Sequence, residues 1–334
     1  VACIIAQELA PDRVIVVVDK CTDGTEAAAL KAGAETFITT DNNDLKAGAL
    51  NQVLAEVLPD LNHDDVILVI DADSVISPGF TREAAAALSA DPSLGGVSGV
   101  YYGKPGGGWP GWGQRNEFAR WGFDSRQQDG KAICLSGAAS AFRAGTLNAV
   151  ASARVSGSLP GPAGVYNTSN FTEDFELSQA ILHLGHGIRN LMNVSIETAV
   201  KHTWNELHIQ RLRWNRGITE TLLAFGLTRH TRMMWLRWVM YVLSVAAIPA
   251  SLFIIGYRLT SGEGFPLNKW MMLWFGITGI VSLHKAITIV HSRGWKNALL
   301  AMLIVPEMPY DLFLHATFIR SLIAVITNEK KNWR

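Results

Sequence analysis

With 334 residues, 49% of them hydrophobic, and a mean hydropathy of +0.17, the chain exceeds one average domain and is too apolar for an ordinary soluble protein. Lys plus Arg and Asp plus Glu number 29 each, so the net charge is zero and the pI about 7.3, which leaves no electrostatic footprint for a nucleic-acid partner. Three cysteines, Cys3, Cys21 and Cys134, exclude a disulfide framework and lack metal-ligand spacing, so a reducing, cytosolic setting is the simpler reading.

In chain order, residues 1–8 read as the end of a helix, and Val14-Ile15-Val16-Val17-Val18 as a β-branched strand buried on both faces. A polar loop from Asp19 to Thr25 then leads into a helix over 27–32. Residues 35–39 predict a second strand, 45–58 a second helix, and 65–70 a third strand ending at Asp71. This alternation predicts an α/β fold with a parallel sheet, helices on both faces, and functional loops at the carboxyl ends of the strands. Asp19 and Asp71 fall at such ends. An alanine-rich helix follows Pro78, and residues 95–102 predict another strand. Residues 103–113, with their glycines, two prolines and two tryptophans, read as a surface loop, and 115–121 as a helix. The small-residue segment Ser136-Gly137-Ala138-Ala139-Ser140 is a tight turn, a packed strand, or a place where backbone approaches a ligand. A Pro/Gly-rich loop over 156–164 precedes a helix over 172–184 with an acidic first turn.

The apolar excess lies in the last third. Residues 206–228 mix Trp214, Leu222, Leu223 and Phe225 with Arg211, Arg213 and Arg216, the pattern of an amphipathic helix at a membrane interface. Residues 234–257 and 270–290 are each long enough, at about 1.5 Å per residue, to cross a hydrocarbon core of about 30 Å. His284 and Lys285 fall near the end of the second, within snorkelling reach of the interface. Residues 298–327 are interrupted by Pro306-Glu307-Met308-Pro309 and Asp311, and read as one kinked span, two short ones, or an in-plane helix and a span. Arg229, Arg232 and Arg237 on one side, and Arg293, Lys296, Lys330, Lys331 and Arg334 on later loops, place the soluble part and the C terminus inside, favouring two or four crossings. The expected organisation is a catalytic domain over 1–200, interfacial helices over 201–232, transmembrane helices over 233–328 and a basic cytoplasmic tail over 329–334, in a multi-pass protein of the plasma (inner) membrane.

Three stretches offer chemistry. Asp71-Ala72-Asp73 follows a buried strand, and carboxylates at i and i+2 of an extended chain point the same way and can share a divalent cation with phosphate oxygens. As loop carboxylates they would instead cap a helix. Asp19 is placed to accept a hydrogen bond from a nucleotide. Thr172-Glu173-Asp174 opens a helix, where acids favour the dipole; as function, Asp174 is the candidate base for an attacking hydroxyl. Gln210-Arg211-Leu212-Arg213-Trp214 suits an interfacial anchor, or a sugar-stacking indole beside a planar donor for phosphate.

Together with Val14–Val18, Asp19, Asp23-Gly24-Thr25 and Lys46-Ala47-Gly48-Ala49-Leu50-Asn51, these stretches resemble the membrane-integrated family 2 glycosyltransferases, the cellulose, hyaluronan and poly-N-acetylglucosamine synthases, over nearly the whole chain. Gln210 to Trp214 matches the Gln-x-x-Arg-Trp pattern of the processive branch. The resemblance implies a GT-A-like nucleotide-sugar-binding domain followed by interfacial and C-terminal transmembrane helices. It implies that Asp19 contacts uridine, that Asp71 and Asp73 serve the diphosphate and Mg2+ or Mn2+, and that Asp174, beside Glu173, is the catalytic base. Asp23, Lys46, Gly137, Gln210, Arg211, Arg213 and Trp214 would line the substrate. The expected activity is inverting transfer from a UDP-sugar to a growing polysaccharide at the cytoplasmic face of a lipid bilayer. The alternatives are transfer to a lipid-linked acceptor, a polyprenyl phosphate or ceramide, and a non-catalytic nucleotide-sensing membrane subunit. The resemblance also expects a strand ahead of residues 1–8 and leading membrane helices, which have no counterpart in this sequence, and makes Lys331-Asn332-Trp333-Arg334 the start of a Trp-x-Thr-Arg-like segment.

Overall fold

The computed structural model describes residues 1–262 and 269–330. After α1 (Ala2–Ile5), the β-branched run forms β1 (Ile15–Val18), joined through α2 (Thr25–Lys31) to β2 (Glu35–Ile38), its parallel partner. Next come α3 (Leu45–Val57), β3 (Val66–Ile70), β4 (Val75–Ile76), α4 (Phe80–Ala90) and β5 (Leu94–Gly103). The N-terminal α/β part ends with α5 (Gly108–Gln127), β6 (Ala139–Arg143), α6 (Ala144–Val155), α7 (Glu173–His183) and β7 (Gly187–Thr198).

Strands β3, β6, β5, β7 and β4 form a second sheet in that order. The all-parallel sheet expected from strand–helix alternation is corrected: β6 runs antiparallel to both β3 and β5, and β4 antiparallel to β7, while β5 and β7 are parallel. The reason is where the chain enters. The Asp71 N–H donates to the Ala138 carbonyl at 2.9 Å, so the segment before β6 arrives at the carboxyl end of β3 and must run back along it. Helices do cover both faces. Leu54, Leu147, Val150 and Leu177 pack on one side and Phe80, Ala84, Leu88 and Ile196 on the other. Between the facing edges of β1 and β3 lies a cavity of about 1200 Å³, walled by apolar groups such as Val16, Leu54, Leu68 and Phe80, with Asp19 and Asp71 also on its lining.

The loop expected over 103–113 is shorter than its composition implied. Gly107, at φ +73, makes a turn that a side chain would strain, and α5 begins immediately after it. Pro110 falls in the first turn, where its missing N–H forfeits no intrahelical bond.

Four helices follow, α8 (Trp204–Phe225), α9 (Arg232–Thr260), α10 (Lys269–Met302) and α11 (Ile304–Ile326). Thr203 caps α8, its hydroxyl accepting from the Glu206 N–H at 3.2 Å, while the Glu206 carboxylate accepts from the His202 N–H at 3.1 Å. Rather than lying free with one polar face, α8 packs between α7 and α11 and buries Leu207, Arg211, Arg216 and Leu222. α9 and α10 occupy the first two expected spans, and large apolar side chains on them, including Leu243, Phe253, Met272 and Ile280, are more than half exposed. α10 is broken at Gly294, φ +77, and the stretch over 298–327 divides between the end of α10 and a single α11 with Pro309 inside it. Among the described residues one helix, Pro306–Ile326, is by length and composition apolar enough to cross a membrane. Lys285 does not snorkel. Its Nζ lies 2.9 Å from Glu307 and 2.8 Å from Asp311, and Glu307 also takes Arg120 of α5 at 3.1 Å, because a poorly hydrated charge is tolerable only when paired. Residues Lys331 to Arg334, the expected Trp-containing tail, lie outside the described residues.

Because β1 and β2 form a two-stranded sheet with one edge on a cavity, their amides are expected to exchange through local opening, well before those of the buried β5 and β7. Residue-resolved hydrogen–deuterium exchange measures this order.

Candidate functional site

The site is assembled around Lys46, in the first turn of α3. Its Nζ lies 2.5 Å from Asp71 Oδ1, 3.0 Å from the Gly137 carbonyl and 3.3 Å from Glu173 Oε1. Four separate segments therefore converge on one cation. Burial pulls the Lys46 ammonium toward its neutral form, but Glu173, Asp71 and Asp174 more than offset this and raise its pKa above the usual value. Burial likewise raises the Asp71 carboxyl, with Glu173 and Asp73 adding to it and Lys46 opposing.

Asp71 and Asp73 do not stand on an extended chain, as their spacing suggested. The Ser74 N–H returns to the Asp71 carbonyl at 3.0 Å, so Asp71 to Ser74 forms a tight turn, with Asp71 facing Lys46 and Asp73 on the exposed lip. Both are hard oxygen donors. Among the described residues no cluster of three or more His, Cys, Asp or Glu forms a metal site by itself, so a cation here would complete its shell with diphosphate oxygens and water, as Mg2+ and Mn2+ do.

Asp174 is the second residue of α7. Its Oδ1 accepts from the Phe175 N–H at 2.8 Å and its Oδ2 from the Gly137 N–H at 2.9 Å. A Cβ on Gly137 would stand 2.8 Å from that same oxygen, so the small-residue segment is a turn that admits the carboxylate against bare backbone. Burial pushes the Asp174 carboxyl up to about 6, Glu173 adds to the rise, and Lys46 with the two N–H groups holds it back. It is thus charged at neutral pH yet a better proton acceptor than an ordinary aspartate. A pocket of about 10 Å³, the size of one oxygen atom with its hydrogens, is lined by Lys46, Gly137, Tyr166, Glu173 and Asp174.

The loop between α6 and α7 is fixed by contacts the sequence did not announce. Arg154 and Glu176 form a fully buried ion pair, Nη2 to Oε2 2.6 Å, and Arg154 also donates to the Val165 carbonyl at 3.4 Å. Asn51 of α3 holds Tyr166 at both ends, accepting from its N–H and donating to its carbonyl, each at 2.8 Å. Only Asn51 carried a signal, as the last residue of the Lys46–Asn51 motif.

Asp19, at the end of β1, accepts from the Thr39 hydroxyl at 2.7 Å and shares the rim of the large cavity with Asp71. Asp23 turns back to accept from the Thr25 N–H at 3.1 Å and from its hydroxyl, which holds its carboxyl below the usual range. It shapes the entry to α2 through this local turn. Arg211 is held inside the fold. It is buried, makes a two-pronged pair with Glu117 at 2.8 and 3.3 Å, and stacks over Trp214 at 4.3 Å, so its guanidinium is committed to orienting the indole. Trp214 lies 6.3 Å from Trp121, and Trp121 5.8 Å from Tyr101. Burial, then Cys134 and Glu117, raise the Tyr101 phenol, which feels Arg211 and Asp174 as well. This aromatic row runs from the α8 motif to β5, and Tyr101 and Trp121 carried no sequence signal because they lie on β5 and α5, far from α8 along the chain. Gln210 Oε1 is buried without a hydrogen-bond partner among the described residues, and Arg213 is exposed on α8.

The family described as glycosyltransferase like family 2 matches residues 1–217, and the chain belongs to it. Among solved structures, a mannosyltransferase from Pyrobaculum calidifontis, in complex with GDP-Man and Mn2+, is similar at 15% identity and a TM-score of 0.60, over 98% of this chain and 82% of that one. It shares the fold, C-terminal helices included. Glucosyl-3-phosphoglycerate synthase from Mycobacterium tuberculosis, with Mn2+, UDP and phosphoglyceric acid, matches at 21% identity over 65% of this chain and 69% of its own, with a TM-score of 0.40. No curated protein sequence matches the chain.

The Asp174 carboxyl is expected to titrate with a midpoint about 6, and higher in Lys46→Met, since the ammonium favours its charged form. Carboxyl carbon NMR shifts of selectively labelled protein follow both; an ordinary aspartate midpoint would show that Asp174 is not buried as described.

Proposed function

We propose that this chain is an inverting, metal-dependent glycosyltransferase that moves a sugar from a UDP-sugar to a hydroxyl of a growing glycan at the cytoplasmic face of a membrane. The observation that carries this reading is the shared cation: Lys46 lines both the large cavity that Asp71 borders and the small pocket that Asp174 borders. Its ammonium pairs with Asp71 and feels the charge of Asp174, so a donor docked at Asp71 would present its anomeric carbon toward Asp174. Asp174 takes the proton of the acceptor hydroxyl as that oxygen attacks. The bond to the diphosphate breaks on the opposite face of the sugar, which inverts the anomeric centre. When bound through Asp71 and Asp73, Mg2+ or Mn2+ would neutralise charge on the departing diphosphate. Lys46 adds a second cation at the same place. The complex of the Pyrobaculum mannosyltransferase with GDP-Man and Mn2+ supports a nucleotide-sugar donor and a divalent metal.

Trp214, held by Arg211 and Glu117, offers the face on which an acceptor sugar stacks. The exposed apolar side chains of α9 and α10, and the apolar length of 306–326, support a multi-pass inner-membrane setting. That apolar surface favours one second reading, transfer to a lipid-linked acceptor, and product length on a gel separates the two.

Release of nucleoside diphosphate is measured with UDP-glucose, UDP-N-acetylglucosamine and GDP-mannose in the presence of Mn2+. Chelation is expected to abolish turnover, and Asp174→Asn to lower kcat by about 10²- to 10⁴-fold. For the wild type, kcat/KM is expected to fall as pH drops through about 6, where the base becomes protonated. Wild-type turnover by Asp174→Asn would overturn the assignment of the base.

A further inference from the structure

Tyr166 lines the catalytic pocket, and the mechanism above makes no use of it. It is 3% exposed, and its ring shares the pocket with Lys46, Glu173 and Asp174. Three successive residues of its loop are anchored by partners from elsewhere: Val165 by Arg154, Tyr166 by Asn51, and Asn167 by Glu176, whose Oε1 accepts from the Asn167 amide at 3.4 Å. The Tyr166 backbone anchor comes from α3, which also carries Lys46, the Val165 anchor from α6, and the Asn167 side-chain clamp from α7, which also carries Asp174. The loop is therefore fixed to the two helices that position the reacting groups.

The phenol of a tyrosine held inside a fold usually finds a hydrogen-bond partner. The Tyr166 hydroxyl has none among the described residues, although both of its backbone groups are satisfied. Burial, followed by the charges of Glu173, Asp174 and Asp71, raises its pKa well above the usual range, so the group remains an O–H donor. Its surroundings are carboxylates and an ammonium. A sugar hydroxyl suits that setting, because it can accept from the phenol and donate to a carboxylate at once. The pocket has room for one such oxygen, about 10 Å³.

We propose that Tyr166 is a specificity-determining residue, its phenol donating a hydrogen bond to a hydroxyl of a reacting sugar in the pocket shared with Asp174. The proposal rests on the glycosyltransferase reading of that pocket. The hydroxyl belongs either to the donor sugar or to the acceptor, and the two sources are separable by experiment.

The test is Y166F, which keeps the ring and removes only the donor. Nucleoside diphosphate release from UDP-glucose and GDP-mannose with Mn2+ is followed in water alone, and again with octyl β-D-glucoside as acceptor, beside wild type and D174N. We expect kcat/KM to fall about 10- to 100-fold while the melting temperature is unchanged, since a site built to bond a hydroxyl is left incomplete. A defect in both assays assigns the bond to the donor sugar, and a defect confined to the second assigns it to the acceptor. If D174N is inactive and Y166F matches wild type in both assays, a water occupies the pocket oxygen site and the tyrosine proposal is wrong while the site reading survives. If D174N is as active as wild type, or if wild type releases no nucleotide, the site reading fails and takes this proposal with it.

Discussion

The contact on which the rest of the site depends is the ammonium of Lys46, 2.5 Å from Asp71 and 3.3 Å from Glu173, with Asp174 also within its field. Three carboxylates drawn into a partly buried pocket would repel one another, and each would lose hydration worth several kcal/mol. One cation among them makes the cluster tolerable and fixes where each acid stands. It also sets the electrostatics. Asp174 is raised by burial and held back by Lys46, so it stays ionised at neutral pH while remaining basic enough to take a proton. The same arrangement ties α3, the β3 turn, the Gly137 turn and α7 into one rigid floor.

The second constraint is the way the C-terminal helices are fastened to that floor. Charges that look out of place in an apolar stretch, Lys285, Glu307 and Asp311, close on each other and on Arg120 of α5. Tyr310 of α11 donates to Glu117, which also binds Arg211 of α8, at 2.8 Å in both contacts. Trp214 is thus oriented by a network that begins in α11 and α5. A shift of α11 would be felt at the indole before it reached Asp174, which makes this network the physical link between the apolar helices and Trp214.

The early strands and helices were legible because each is local: a β-branched run followed by polar residues, or a capped helix such as α8, carries its own signal in consecutive residues. The mixed sheet was not, because the direction of β6 is decided by where residues 131–138 deliver the chain, a long-range fact with no sequence period. Residues 103–113 misled for a related reason. Their glycines and prolines are loop-formers in composition, yet Gly107 ends the turn and Pro110 occupies a helix position that does not need an N–H. In the site, Asp71, Asp174, Lys46 and Gly137, named from motif order, are brought together by the fold. The surrounding Arg154, Tyr166, Tyr101 and Trp121 were not legible, since each acts through a neighbour brought from another element. Arg211 and Asp23 are motif residues that the fold pairs with Glu117 and Thr25.

The account stands most directly on where a diphosphate and its metal bind relative to Asp174. Crystals of the full chain with UDP and Mn2+, measured at a wavelength where manganese scatters anomalously, answer this in one map. One manganese peak is expected at the Asp71–Ser74 turn beside the diphosphate, with the Asp174 carboxylate facing the nucleotide across Lys46. A nucleotide seated without contact to Asp71 or Asp73, or an Asp174 turned away from the diphosphate, would contradict the account.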